Sequence, residues 1–273
     1  MPQGAASHTR RMSTAPARLP LASALPFPLP GAPTAGQAPP LPGVSIVLPC
    51  YDEEDNVVEA VRAARLAGRR AALACEVIVV DDGSRDRTRD RALALALEDP
   101  DVRVIVHDHN SGYGAALRSG IAAASQPWIL LTDADLQFDL TQLEDFLPHA
   151  ARNDLVLGHR VLRMDPLGRR MAAGAWNWLV RRVFRLPVRD VDCAFKLVRT
   201  DLLKDVPLTC SGAMISTELV LRCIAQGARV TQLGVRHRPR VAGEQSGTSP
   251  RVVARAFREL FAARRELGRL PRA

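Results

Sequence analysis

Two carboxylates one residue apart, Asp133 and Asp135, follow directly on the apolar run Trp128-Ile129-Leu130-Leu131-Thr132. Like charges crowded at the end of a buried strand repel one another, so the pair calls for a counter-charge. A hard divalent cation answers that need. Mg²⁺ and Mn²⁺ accept carboxylate oxygens and keep positions open for phosphate and water. Gln137 adds a further oxygen to this candidate metal set, whereas Asp139 reads as the start of the next helix. The plainer alternative is a pair of solvated turn acids.

Other apolar runs end in the same manner. The first closes in Pro49-Cys50-Tyr51-Asp52-Glu53-Glu54 and the second in Asp81-Asp82-Gly83-Ser84. Adjacent acids before Gly-Ser either cap a polar turn or accept hydrogen bonds from the base and ribose of a nucleotide. The third run ends in His107-Asp108-His109-Asn110 before Ser-Gly-Tyr-Gly, which is not a G-x-G-x-x-G fingerprint and reads as a helix start. His107 and His109 are expected to be exposed turn residues rather than metal ligands. The fifth run ends in Gly158-His159-Arg160.

Positioning these residues requires a particular scaffold. VSIVLP, EVIVVD, VRVIVH, WILLTD and DLVLGH are strand-length and apolar on both faces, and amphipathic segments at 54–67, 86–97, 112–124 and 141–151 separate them. Doubly buried strands alternating with helices predict an α/β fold with a mostly parallel sheet covered on both sides. Ligands bind beyond the carboxyl ends of such strands, where the acids gather. Further on, the pattern predicts a helix over 167–185, a strand in CAFKLV, a helix over 214–226 and a strand in ARVTQLGV.

A chain of 273 residues with 47% hydrophobic content suits one domain with an embellishment. It contains no apolar run of about 18 residues, so no transmembrane helix is expected. The net charge of +8 lies at the ends. Residues 1–42 hold Arg10, Arg11 and Arg18 without an acid, and 251–273 hold seven arginines against Glu259 and Glu266, which leaves 43–250 neutral. That distribution argues against a nucleic-acid groove across the body. Five cysteines without a C-x-x-C pair argue against a disulfide framework or zinc cluster and for a cytoplasmic setting. Half of the 20 prolines fall in 1–42, which reads as a disordered Pro/Ala-rich tail rather than a secretory signal.

The stretches VSIVLPCYDEEDNV, VIVVDDGSRDRT, HNSGYGAALRSGI and ILLTDADLQ, in this order and spacing, resemble the inverting glycosyltransferases of family 2. They are most similar in kind to polyprenol-phosphate sugar transferases such as dolichol-phosphate mannosyltransferase. The resemblance spans about 43–250. It implies a GT-A fold, with a Rossmann-like nucleotide-binding half over about 43–140 and an acceptor half over about 141–250. It also implies that Pro49, Tyr51, Glu53, Asp81 and Asp82 hold the nucleotide of a UDP- or GDP-linked sugar, and that Asp133, Asp135 and Gln137 form the metal–diphosphate site. Arg160 matches an arginine that faces donor or acceptor phosphate, and Asp190, Asp192 and Lys196 match the acceptor side. Arg240 lies in a stretch similar to the basic acceptor loop. His159, Ala194 and Lys196 depart from the family's serine, glycine and arginine, which bears on the acceptor rather than the donor.

The reaction so implied is displacement at the anomeric carbon, with Asp135, Arg160, Asp190 and Asp192 as the catalytic candidates. A lipid phosphate is already ionised, whereas a sugar hydroxyl needs a general base. Neither the Glu-Asp pair nor the Gln-x-x-Arg-Trp motif of the polysaccharide-synthesising members is found, which favours a polyprenyl phosphate acceptor. Arg160, Arg169, Arg170 and Arg240 are candidates to receive its head group. The alternatives are a soluble transferase acting on a hydroxyl, with Asp190 or Asp192 as base, and a non-catalytic nucleotide-sugar-binding protein. Residues 251–273 read as a basic amphipathic helix with Val253, Phe257, Leu260 and Leu267 on one face. It suits either the cytoplasmic face of a membrane, visited without spanning, or packing on its own domain.

Overall fold

Val44–Cys50 (β1) sends Ile46 and Leu48 to one side of a sheet and Val47 to the other, all fully buried. A strand of this kind is stable only with a layer on each face. The computed structural model describes residues 38–161, 167–204, 206–240 and 250–267, and supplies those layers. In chain order the elements are β1, α1 (Val57–Ala71), β2 (Cys75–Asp81), α2 (Thr88–Glu98), β3 (Val102–Val106), α3 (Tyr113–Ala123) and β4 (Trp128–Leu131). A short 3₁₀ turn, Leu140–Gln142, leads into α4 (Leu143–Ala150) and β5 (Leu155–Val161). Then come α5 (Leu167–Phe184), β6 (Lys196–Arg199), α6 (Asp201–Lys204), α7 (Ile215–Ala225), β7 (Val230–Arg236) and α8 (Pro250–Leu267).

The seven strands are ordered β3-β2-β1-β4-β6-β5-β7. All run parallel except β6, which is antiparallel to both β4 and β5. The pairing of Cys50 with Asp81 and of Asp81 with Val106 brings the ends of β1, β2 and β3 level, so their following loops share one edge. One core layer is built from α1 and α4, with Phe146 stacked at a tilt on Phe195. The other holds α3, α7 and inward residues of α5 and α8. Helix α3 lies so close to β1 that a Cβ at Gly120 would stand 2.3 Å from a methyl of Val47, so a larger residue there would force the layers apart.

The predicted elements are present, with two differences. The strand expected over CAFKLV begins only at Lys196. Before it the chain turns, with the Cys193 amide donating to the Asp190 carbonyl and the Lys196 ammonium folded back onto the carbonyl of Cys193. The Pro-rich tail lies outside the described residues as far as 37. Leu41 already belongs to the packed body: it is buried and forms a bridge with Ala72.

Candidate active site

The loops after β1 and β2 are laced together by side chains that accept from, or donate to, the opposite backbone. The amides of Asp52, Glu53 and Glu54 donate to Ser84 (3.0 Å), Thr88 (2.8 Å) and Asp86 (3.0 Å). In return the Arg85 amide donates to Asp52 at 2.7 Å. Asp52 takes a positive φ of 54°, an uncommon turn conformation that this lacing holds in place. Against the desolvation of burial, hydrogen bonds from Thr88 and the Glu54 amide keep Asp86 below the usual carboxylate range.

Asp82 is a hub. Its buried carboxylate accepts from the His107 ring at 2.7 Å and from the amides of Ser111 (3.0 Å) and Gly112 (2.8 Å). The other ring nitrogen of His107 meets the Ser119 hydroxyl at 2.8 Å. His107 is therefore no exposed turn residue; it sits between the β2 end and α3 and fixes one carboxylate oxygen. Asp81 is buried beside it and accepts a long bond from the Ser84 amide, 3.4 Å. Pro49 lies within β1 opposite Val80, and Tyr51 is half-buried in the following turn.

Helix α3 carries this arrangement to the acid pair. Its first residue, Tyr113, donates its hydroxyl to Asp133 Oδ1 at 3.0 Å. Burial, then the charge of Asp133, push the Tyr113 pKa well above its usual value, so the phenol remains a donor. Asp133 is raised by burial, while the Tyr113 hydrogen bond and the charges of Lys196, Arg160 and Arg240 oppose the shift. Asp135 is pushed up to about 7 by burial and by the charge of Asp133. The buried thiol of Cys50 is raised well above its ordinary value by burial and then by Glu53, Asp81 and Asp133, which reports the same negative potential.

The turn that bears the pair is held from the far side of the sequence. Leu136 adopts a φ of 60°, and the Asp135 carboxylate accepts from the Gln137 amide at 3.1 Å. Beyond β7 the chain runs antiparallel to this turn: Phe138 bridges His237, and the Arg238 amide donates to the Gln137 carbonyl at 2.8 Å. The Gln137 side-chain amide donates to the Arg238 carbonyl at 3.0 Å, so this residue also ties the turn to β7. Arg236 (3.2 Å) and Arg238 (2.8 Å) pair with Asp139, which also caps the 3₁₀ turn through the Thr141 amide. Arg240 pairs with Glu53 and lies 3.7 Å from Asp135.

From β5, Arg160 grips Asp190 through two bonds of 2.7 Å, and Asn177 of α5 donates to the same carboxylate at 2.8 Å. Against the desolvation of burial, Asp190 raises the Arg160 pKa further. Lys196 is buried, which lowers its pKa, while the neighbouring charges of Asp192, Asp190 and Asp133 oppose the change. Asp192 is half-buried in the turn before β6. The structure thus brings Glu53, Asp133, Asp135, Arg240, Lys196, Arg160, Asp190 and Asp192 to one edge, with Asp82 linked to them through the first turn of α3. Residues 241–249 of the expected acceptor loop and the side chains of Arg169 and Arg170 lie outside the described residues.

Among the described residues, no group of three or more His, Cys, Asp or Glu side chains is placed to hold a metal ion alone. Two buried carboxylates, of which burial and then the charge of Asp133 raise Asp135 to about 7, do fit an oxygen-seeking dication whose remaining ligands come from a bound diphosphate and water.

The sequence reading missed Tyr113 and His107 as parts of the site, together with Arg236 and Arg238. The arginines carried a signal, since Arg236, Arg238 and Arg240 alternate along one extended segment and can face one side.

Comparison with known proteins bears on this edge. The family model described as Glycosyl transferase family 2 matches residues 45–207. An uncharacterized glycosyltransferase of Mycobacterium tuberculosis is 32% identical over 205 residues, covering 74% of this chain and 88% of that protein. An undecaprenyl-phosphate 4-deoxy-4-formamido-L-arabinose transferase of Pseudomonas fluorescens is 29% identical over 220 residues, covering 80% of this chain and 64% of that longer protein. Among solved structures, glucosyl-3-phosphoglycerate synthase of Mycobacterium tuberculosis, crystallised with Mn²⁺ and UDP-glucose, superposes with a TM-score of 0.64 at 18% identity, covering 85% of this chain and 80% of that one. At that identity the likeness establishes a shared fold, the GT-A architecture.

Proposed function

The chain belongs to glycosyl transferase family 2, and from that premise we propose that it transfers a sugar, with inversion, from a nucleotide diphosphate donor to a polyprenyl phosphate. The observation that carries this reading is the charge arrangement around Asp133. The acids lie on the β1, β2 and β4 ends, and the cations whose charges act on Asp133, Lys196, Arg160 and Arg240 among the described residues, come from the acceptor half. Buried cations facing the reaction edge suit an anionic acceptor. Asp190, one of the two candidates for a base, is engaged by Arg160 and Asn177, which fits a nucleophile with no proton to lose.

In this reading the loops after β1 and β2 receive the nucleoside, and Asp81 and Asp82 form the floor of that site. Asp133 and Asp135 would hold Mg²⁺ or Mn²⁺, which when bound offsets the charge that develops on the diphosphate leaving group. Tyr113 keeps one oxygen of Asp133 fixed in direction. Arg160, steadied by Asp190, meets acceptor phosphate. Arg240, which bridges Glu53 toward Asp135, connects the donor loop to the acceptor loop. The relative that acts on undecaprenyl phosphate supports the choice of acceptor.

The deciding experiment presents radiolabelled UDP- and GDP-sugars with Mn²⁺ or Mg²⁺ to the purified chain, with either a short polyprenyl phosphate or a glycan hydroxyl acceptor. Label in an acid-labile lipid-phosphate product is the expected result. Transfer to the hydroxyl acceptor alone would sink the proposal.

A further inference from the structure

Helices α5 and α8 present an outer face that the transfer reaction does not use. On α5 the residues Met171, Ala175, Trp178 and Arg182 recur at helical spacing, and all are exposed; Arg185, in the turn just after the helix, is exposed as well. Met171 is 68% exposed and Trp178 65%. No acidic residue occurs between Leu167 and Phe184. Helix α8 lies against α5, with Trp176 edge-on to Phe257 at 5.3 Å between ring centres. Its inward residues are Leu260 and Ala263, while Glu259 accepts from the amides of Ser211 (3.3 Å) and Gly212 (2.9 Å). Phe257 and Phe261, one turn apart, are 41% and 61% exposed. Arg258, Arg264 and Arg265 are exposed beside them, and no carboxylate of the described residues pairs with these three or with Arg181 and Arg182. The apolar face expected for 251–273 is thereby divided: Leu260 faces the protein, whereas Phe257 and Phe261 face outward.

We propose that this two-helix face docks on an anionic bilayer surface, with the four large apolar side chains entering the boundary between headgroups and acyl chains and the arginines meeting lipid phosphates. The chemistry selects this occupant. A nucleic acid would engage the arginines and leave Met171, Trp178 and Phe261 in water. A second copy of the chain packed on this face by a twofold axis would set arginine against arginine. The position of the face adds to the argument. Asn177, the residue before Trp178, points inward and donates to the Asp190 that holds Arg160. A helix is about 10 Å across, so a bilayer at Trp178 lies close to the cation assigned to acceptor phosphate. This inference rests on the lipid-phosphate reading above, for it explains how a headgroup-level phosphate reaches Arg160.

The test uses the full chain and sedimented vesicles. Binding is expected to vesicles containing about 30% phosphatidylglycerol, to be weak on pure phosphatidylcholine, and to fall as salt is raised. Trp178→Ser with Phe261→Ser should weaken binding at least about tenfold, and Arg258→Glu with Arg265→Glu should do the same through charge. Equal vesicle binding by parent and both variants would overturn the proposal. A dimer in sedimentation velocity that the serine variants dissociate would also overturn it, in favour of a second copy. Transfer to a short, water-soluble polyprenyl phosphate separates the two readings. If that transfer proceeds while vesicle binding ignores the substitutions, the docking face alone is wrong. If vesicle binding behaves as expected but no lipid phosphate accepts sugar, the acceptor assignment alone is wrong.

Discussion

The edge proposed to bind the donor and the edge proposed to bind the acceptor, the donor and acceptor edges below, keep their charges in place by different means. On the donor edge, backbone amides and neutral side chains do most of the work: Asp82 accepts from two amides and a histidine, and Asp86 from Thr88 and the Glu54 amide. On the acceptor edge the charges are answered by other charges, Arg160 by Asp190 and Arg240 by Glu53. Amide donors cannot be exchanged or displaced, so they make a rigid floor. Ion pairs can be broken and re-made when a phosphate arrives, which suits the side where an acceptor enters and a product leaves. Asp133 and Asp135 stand between the two modes, one fixed by a tyrosine hydroxyl and the other facing an arginine.

Four substitutions test that contrast. The largest effect is expected at Asp135→Ala, which should lower sugar transfer by about 10³-fold or more, because on the proposed mechanism it removes one of the two carboxylates that would hold the dication offsetting the leaving group's charge. The melting temperature of the metal-free protein should not fall, since a repelling buried carboxylate is gone; thermal unfolding with and without Mn²⁺ reads both. Asp190→Ala leaves Arg160 buried without its ion-pair partner. A cost of about 3–5 kcal/mol in stability is expected, with about 10²-fold in transfer, measured by urea unfolding and by product formation. If Asp190→Ala were neutral, the acceptor edge would not depend on pairing.

Tyr113→Phe removes one hydrogen bond to a charged group and should raise the metal concentration for half-maximal rate about tenfold, with the fold unchanged. The smallest effect concerns His159. Burial and the charge of Arg189 lower its pKa, and its buried Nδ1 has no hydrogen-bond partner among the described residues. Below about pH 6.5 the unfolded chain takes up a proton that the folded protein declines, so stability falls as the pH drops through that range. His159→Gln should flatten the change in melting temperature between about pH 7.5 and 5.5 relative to the parent.

The donor half was readable because its logic is local. Each doubly apolar strand announces itself, and the acids that matter stand within four positions of Leu131, Val80 and Pro49. The Asp133–Asp135 turn was legible for the same reason. Tyr113 was hidden because its partner, Asp133, is 20 positions away and the intervening helix decides whether the two meet. His107 was misjudged because nothing in His-Asp-His-Asn shows that a neighbouring strand end places Asp82 within hydrogen-bond reach of the ring. The reversed direction of β6 was also out of reach, since Lys196-Leu197-Val198 reads alike in either orientation. Arg240 was found, yet its meeting with Glu53 joins residues 187 positions apart, a pairing no local pattern encodes.

That last contact has a consequence for the order in which the protein becomes competent. The pairings among β1, β2 and β3 need only short excursions of chain, whereas the bridge from Glu53 to Arg240 closes nearly the whole sheet. Loop-closure entropy places such a contact late in folding, and the same accounting makes it early to open. A newly made chain would then pass through a stage that is already a sheet but not yet an enzyme, and mild denaturant should extinguish transfer before it melts the strands.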